Sequence, residues 1–484
     1  MYDQFDLLQA PPLQKKHHQH ELHDDHGTHN SGRVLGTLSV VAITFFFGCG
    51  GPIGSETVIS IAGPLVALIV IVVYPLVFTF PYGAVIAELC TAFPEDGGFP
   101  IAVRNAFGQF WGVQVGYWSW VGNVMSTAIY PAILLDLVRL HSSMEIASPI
   151  VEYVLKAAVA IVLSIPTFLG TKLISRSMIG FLFGVLLIVT IYIVWAYVNA
   201  ENYDQLGLVR RVDTKYNGNT GYVESTGGGL DIAWFDLLNA LFWNYDGVQM
   251  ASVFGGQVLI PARVYPRAIS ATVALTVLVY LLPVPATVAT KYVNWTLFDD
   301  GSYGDVALQI GGVVLKQLMI LVNFVTTMGM FISSTYCEST EMAGMAQSGM
   351  LHPVLRKRST RFQSPYVSVI LTLLLTLVLL AFDTDFLIPV TNAFACLVAA
   401  IIFFAGVQLR RKFPHFPRPS TVPGGPGMML AIAIIPIAIC GVIIYRTLTE
   451  SLSQFLTVIG FVVVGLVFSA IERNREEAQD ALPF

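Results

Sequence analysis

The chain is 484 residues long, 55% hydrophobic and 12% charged, with a formal net charge of -5 and a mean hydropathy of +0.69. Its apolar residues gather in runs of about twenty, the length that crosses hydrocarbon, so it reads as a polytopic protein embedded in the lipid bilayer. The basic residues are scattered over short loops rather than gathered in one patch, which excludes nucleic acid as a partner.

Residues 1–33 form a polar tail around KKHHQHELHDDHGTH, which holds six of the nine histidines. With no apolar period it is expected to be disordered, and nothing in it fixes a ligand geometry, so no metal is assigned. It also lacks the layout of a cleaved signal peptide.

From Val34 about twelve spans are expected, centred near Phe47, Val77, Val121, Ile161, Leu187, Asn244, Val279, Thr326, Leu373, Leu397, Ile435 and Val462. The first is interrupted by GCGGPIG, Gly48 to Gly54. Broken helix at membrane depth is tolerated only where protein or a water-filled cavity satisfies the freed backbone, and in transporters such a break marks the binding site. The sixth span repeats the oddity: LLNALFWNYDGVQMASVFGGQ carries Asn244, Asp246 and Gly247 at its centre. Five spans separate the breaks, an odd number that reverses orientation and so predicts inverted repeats with the site between them.

The reading is an all-α membrane protein with a five-plus-five inverted repeat and discontinuous helices one and six. The first repeat covers 34–200, an extracellular loop 201–231, the second repeat 232–407, spans eleven and twelve 427–471, and a cytosolic tail 472–484. Even parity puts both termini on one side, and eighteen of the 26 Lys and Arg residues fall there, so both termini are expected in the cytosol and the membrane is expected to be the plasma membrane. The sequon Asn294-Trp295-Thr296 then lies outside as a weak glycosylation site. Cys49, Cys90, Cys337, Cys396 and Cys440 fall within spans and read as buried apolar residues. No soluble catalytic domain and no His-rich motif within a span is visible, so neither an enzyme nor a cofactor is expected.

Several stretches carry a family likeness: GGPIGSE and AGPLVALI around the first break, AELCTAFPEDGGFP after span two, YPAILLDLV in span three, and GMAQSGMLHPVLRKRSTRFQSPYVSV between spans eight and nine. Through them the chain resembles the amino acid, polyamine and organocation transporter superfamily, and within it the polyamine uptake branch of plants and trypanosomatids. The resemblance implies a LeuT-like fold, alternating access, and proton-coupled import of putrescine or spermidine. Two departures stand out: Gly256-Gln257 and Gln249 occupy places where related sequences tend to carry an acid.

The residues give independent support for a cationic substrate. A carrier of amino acids would hold the substrate carboxylate on free N–H groups at Gly50, Gly51 and the half-helix beyond, the positive end of its dipole. Pro52 removes one donor there, and Glu56 places a carboxylate in the first turn, either to meet an ammonium or to cap the half-helix with Ser55. Asp246, beside Asn244 and Tyr245, suits charge-assisted hydrogen bonds from an alkylammonium, and Trp243 and Tyr245 offer aromatic faces.

Other intramembrane acids are Glu88, Asp136, Glu338 and Glu341, with few bases at similar depth. Such acids suit a polycation and a proton, since burial favours the protonated carboxyl group. Glu338 leads as amine or proton contact and Glu88 follows as a weaker proton site, while Glu88 and Glu341 are also open to lying hydrated near the interface. Gly50 and Gly51 at the first break, Tyr130, in the YP pattern of span three, and Tyr336 complete the expected substrate set. Span eight offers Ser333, Ser334 and Thr335 for sodium, but the carboxylates favour a proton. The alternatives are a cationic or neutral amino-acid carrier of the same fold and a nutrient sensor that does not transport.

Overall fold

The computed structural model describes residues 33–142 and 148–480. The histidine-rich tail expected over 1–33 therefore lies, except for Arg33, outside the described residues. Sixteen α-helices and one short hairpin follow in order.

Span one is α1 (Thr37–Gly48) and α2 (Ser55–Ala62), split by six residues in which Cys49 is extended and Gly54 left-handed at φ 95°. Span two is α3 (Pro64–Tyr74) and α4 (Phe80–Ala92), joined by a single π turn over Pro75–Thr79. Pro75 has no N–H to donate, and the Phe80 amide reaches back five residues to the Pro75 carbonyl. After α5 (Phe99–Phe107) come α6 (Gln109–Ser142), α7 (Pro149–Phe168) and α8 (Thr171–Asn199). The 201–231 loop folds into more than a connection. A 3-10 turn at Tyr203–Gly207 precedes an antiparallel pair, β1 (Lys215–Asn217) and β2 (Tyr222–Glu224).

Span six begins as α9 (Trp234–Tyr245) and does not resume as an α-helix. Asp246 is extended, Gly247 is left-handed at φ 107°, and two 3-10 turns, Val248–Ser252 and Gly255–Gln257, replace the expected second half. There follow α10 (Pro261–Leu281), α11 (Pro283–Val288), α12 (Ser302–Gln347), α13 (Tyr366–Leu379), α14 (Thr384–Lys412), α15 (Gly425–Glu450) and α16 (Leu452–Asp480). Gly312, at φ 70°, breaks α12 into a short N-terminal piece and the span proper.

Among the described residues nine helices are long and apolar enough to cross a membrane. The other three spans are the two broken ones and α13, which is apolar but short. Large apolar side chains such as Ile150, Val154, Val162, Leu187 and Val194 are more than half exposed. An apolar belt of that extent is stable only against lipid. All five cysteines are buried and unbridged.

Candidate functional site

The two broken spans meet at their breaks. A Cβ on Gly48 would run into the Asp246 carbonyl oxygen, so glycine is what lets the chains approach this closely. The Asn244 amide donates to the Gly54 carbonyl at 3.0 Å, and this tie satisfies a backbone group that the break in span one leaves free. Behind them Gly50 packs on Met330 and Gly51, at φ 75°, on Thr326, both from α12. Tyr245 spends its hydroxyl on the Ile71 carbonyl at 2.8 Å. Trp243 is half-buried against the core.

Glu56 is buried in the first turn of α2, and both its oxygens are engaged. One accepts from the Gly54 amide at 3.1 Å and the other from the Tyr303 amide at 3.3 Å. Ser55 Oγ bonds the Pro52 carbonyl at 2.7 Å and lies 2.7 Å from the Tyr303 hydroxyl. The positive end of the half-helix is thus closed by a carboxylate of the protein itself.

Three acids sit around the breaks. Asp246 accepts from the Gln249 amide, at 3.3 and 3.4 Å, and meets the Gly247 backbone amide. On α12, Glu338 accepts from Thr127 Oγ1 at 2.6 Å and Glu341 from Ser119 Oγ at 3.0 Å. Both are fully buried, and each keeps one oxygen without a partner among the described residues. No Lys, Arg or His side chain pairs with any of the three among the described ion pairs. Thr127 and Ser119 belong to a polar stripe of α6 that continues through Asn123 and Ser126 to Tyr130, whose hydroxyl is 3.2 Å from Ser126 and also meets Ser334. The three-to-four-residue spacing of that stripe was the signal in the sequence for Ser119 and Thr127. Glu341, for which the sequence leaves open a hydrated place near the interface, is enclosed.

Glu88 is also placed differently from the expectation of an unpaired or hydrated acid. It is 2% exposed and is held by Arg410, whose Nε donates at 2.8 Å, by Arg418 at 3.4 Å and by the Val422 amide at 2.9 Å. Its partners come from the far end of α14 and the following loop, more than three hundred residues away, which no local reading of span two reveals. Asp136 is exposed at the opposite end of the bundle and pairs with Arg139 at 3.2 Å.

The basic end of the bundle is closed by a knot around Gln257. Its carbonyl accepts from the Val34 and Leu35 amides at 2.8 and 2.9 Å. Its side chain accepts from Tyr336 at 3.1 Å and from Thr171 at 2.5 Å, and reaches Asp96 at 3.5 Å. Asp96 in turn binds the Gly256 amide at 3.1 Å and Arg358 at 2.8 Å. Tyr336 therefore belongs to this closure, on the face of α12 opposite Glu338. Ser333 donates to the Ile43 carbonyl at 2.6 Å, tying span eight to span one. The Asn294 side chain caps the turn Trp295–Leu297, accepting from Thr296 Oγ1 at 2.7 Å.

A small cavity of about 20 Å³ lies beside Asp246, walled by α1, the π turn, α9 and α10. A larger groove of about 200 Å³ between α4, α10 and residues 420–423 has no titratable side chain in its wall. The smaller one is where charge recognition is available.

A family model described as amino acid permease matches residues 35–468. Polyamine transporter RMV1 of Arabidopsis thaliana is 28% identical over 453 residues, 93% of this chain and 87% of that protein. A probable polyamine transporter of the same plant is 31% identical over 395 residues, 80% of this chain and 77% of that protein. Polyamine transporter PUT1 of Oryza sativa subsp. japonica is 25% identical over 460 residues, 93% and 80% of the two chains.

Proposed function

This chain belongs to the amino acid permease family, and on that premise we propose that it imports polyamines, putrescine or spermidine, with protons and by alternating access. It is a multi-pass membrane transporter; the substrate and the coupling are the proposal. The observation that carries the substrate is the set Asp246, Glu338 and Glu341, the first half-buried and the other two fully buried, which no basic side chain pairs with among the described residues. Unpaired buried charge is costly, so such acids are expected to be neutralised by protons or by a cation that arrives from solution.

The closed start of α2 supports the same choice over an amino acid. A substrate carboxylate would need N–H donors there, and the Gly54 amide already serves Glu56 while Ser55 N–H bonds the Pro52 carbonyl. On this reading Glu56 selects against amino acids by occupying their anchor, Asp246 holds an ammonium, and Glu338 with Glu341 exchanges protons. The pairing of Glu88 with two arginines leaves it out of the coupling set.

The basic end is the cytosolic one by the distribution of Lys and Arg, and the plasma membrane is the proposed site. Uptake of radiolabelled putrescine in cells lacking their own polyamine carrier, competed with spermidine, arginine and leucine, tests the reading. Competition by spermidine alone is expected. Stronger competition by arginine or leucine would make the chain an amino-acid carrier, and binding without uptake would make it a sensor.

A further inference from the structure

The cavity beside Asp246 has walls that the proposed site so far leaves out. Thr44 of α1, Thr79 at the end of the π turn and Thr272 of α10 line it. They are 3%, 3% and 5% exposed, and none of their hydroxyls has a hydrogen-bond partner among the described residues.

Threonines inside helices ordinarily satisfy themselves on their own backbone. Thr326, Thr335 and Thr376 do so here, donating to the carbonyl four residues back at 2.8, 2.9 and 2.9 Å. The three cavity threonines do not. Unsatisfied buried hydroxyls cost stability, and three from separate helices converging on one space beside a carboxylate are accounted for by something that enters it. The π turn that carries Thr79 is an independent pointer, because such single turns are concentrated at functional sites.

The chemistry of the wall narrows the occupant. Hydroxyls and a carboxylate accept hydrogen bonds, and no basic side chain lines the space. A primary ammonium brings three N–H donors and no acceptor and is small enough for a space of about 20 Å³, which the methyls of the threonines with Val248 and Val273 border. We propose that Thr44, Thr79 and Thr272 form, with Asp246, an ammonium subsite that receives one terminal amine of the substrate. The inference rests on the polyamine reading only for which amine arrives.

The test uses the purified full-length protein in detergent, with thermal stability followed against putrescine, spermidine, arginine, and sodium chloride exchanged for choline chloride. Ligand that binds the folded state raises the melting temperature in proportion to its affinity. Thr79→Val and Thr272→Val keep the shape and remove the hydroxyl, and each is expected to weaken the polyamine effect about tenfold in concentration, as loss of a hydrogen bond to a charged group does. Thr272→Ser restores the hydroxyl and should restore affinity even if one valine variant folds poorly. Thr376→Val, whose hydroxyl serves its own helix, is the control expected to match wild type.

Valine variants with wild-type polyamine affinity would overturn the subsite, leaving the cavity to water. Stabilisation by sodium that the valine variants lose would overturn it in favour of a metal cation. If arginine stabilises the wild type in place of polyamines and the valine variants lose that effect, the subsite stands and the polyamine reading falls. No stabilisation of the wild type by any amine would overturn both.

Discussion

At the scale of single residues, the lack of a basic partner among the described ion pairs separates Asp246, Glu338 and Glu341 from Glu88 and Asp136, which arginines hold, and of the three only Asp246 stands in a helix break. Asp246→Asn is expected to leave the protein in the membrane and to remove high-affinity uptake, since a desolvated ammonium–carboxylate contact contributes on the order of 2 kcal/mol or more. Transport kinetics on a variant with matched surface amount check it, and wild-type kinetics would sink the assignment. Glu56 is expected to behave otherwise, because both its oxygens already serve backbone amides. Glu56→Gln should lower thermal stability by about 1–3 kcal/mol while residual protein keeps its Michaelis constant for diamines; the reverse pattern would make Glu56 a substrate contact. The acids themselves were visible in the sequence by type and depth. What each one touches was not: Glu88 finds Arg410 and Arg418, and Tyr336 finds Gln257, through contacts far along the chain.

At the scale of elements, the two breaks were legible because Gly, Pro and Asp have no ordinary place in the middle of an apolar run. The chain after Gly247 was not, since its mixed apolar and small residues fit a resuming helix as well as the 3-10 turns that form. The turns are held by tertiary contacts, among them Ser252 Oγ with the Phe99 amide at 3.1 Å and Gly256 with Asp96 at 3.1 Å. Gln257, which stands out in the sequence only as a missing acid, ties this segment to the entry of α1, to α8 and to α12. Arg358→Ala removes a charge-assisted bond from the same knot and is expected to loosen the basic end. The described cysteines are all buried, so wild-type protein offers a low background to an impermeant thiol reagent, and several-fold faster modification of Cys337 or Cys49 in the variant would report the opening. Unchanged modification would mean that Asp96 closes the end without its arginine.

At the scale of the whole molecule, the proposed reading has transport move positive charge together with protons. Uptake is expected to rise as external pH falls from about 8 to about 6, to collapse with a protonophore, and to be indifferent to replacing sodium by choline. Strict sodium dependence would overturn this, and proton-driven uptake retained in Glu338→Gln would remove that residue as carrier. The 201–231 loop is not expected to contribute to such a profile. Hydrogen bonds, led by the Thr226 hydroxyl, hold the Asp213 carboxyl below its ordinary range. The sign is that of a depressed acid: its stabilisation is complete above the unfolded value of about 3.9 and is lost only as pH falls through the lower folded one. The carboxylate that Glu56 seats at the start of α2 has a wider meaning for cargo. A diamine is a basic amino acid stripped of its carboxyl group, and on the proposed reading the missing group has been moved from the traveller into the wall of the carrier. Cargo choice in this scaffold then turns on which of the two partners owns one negative charge.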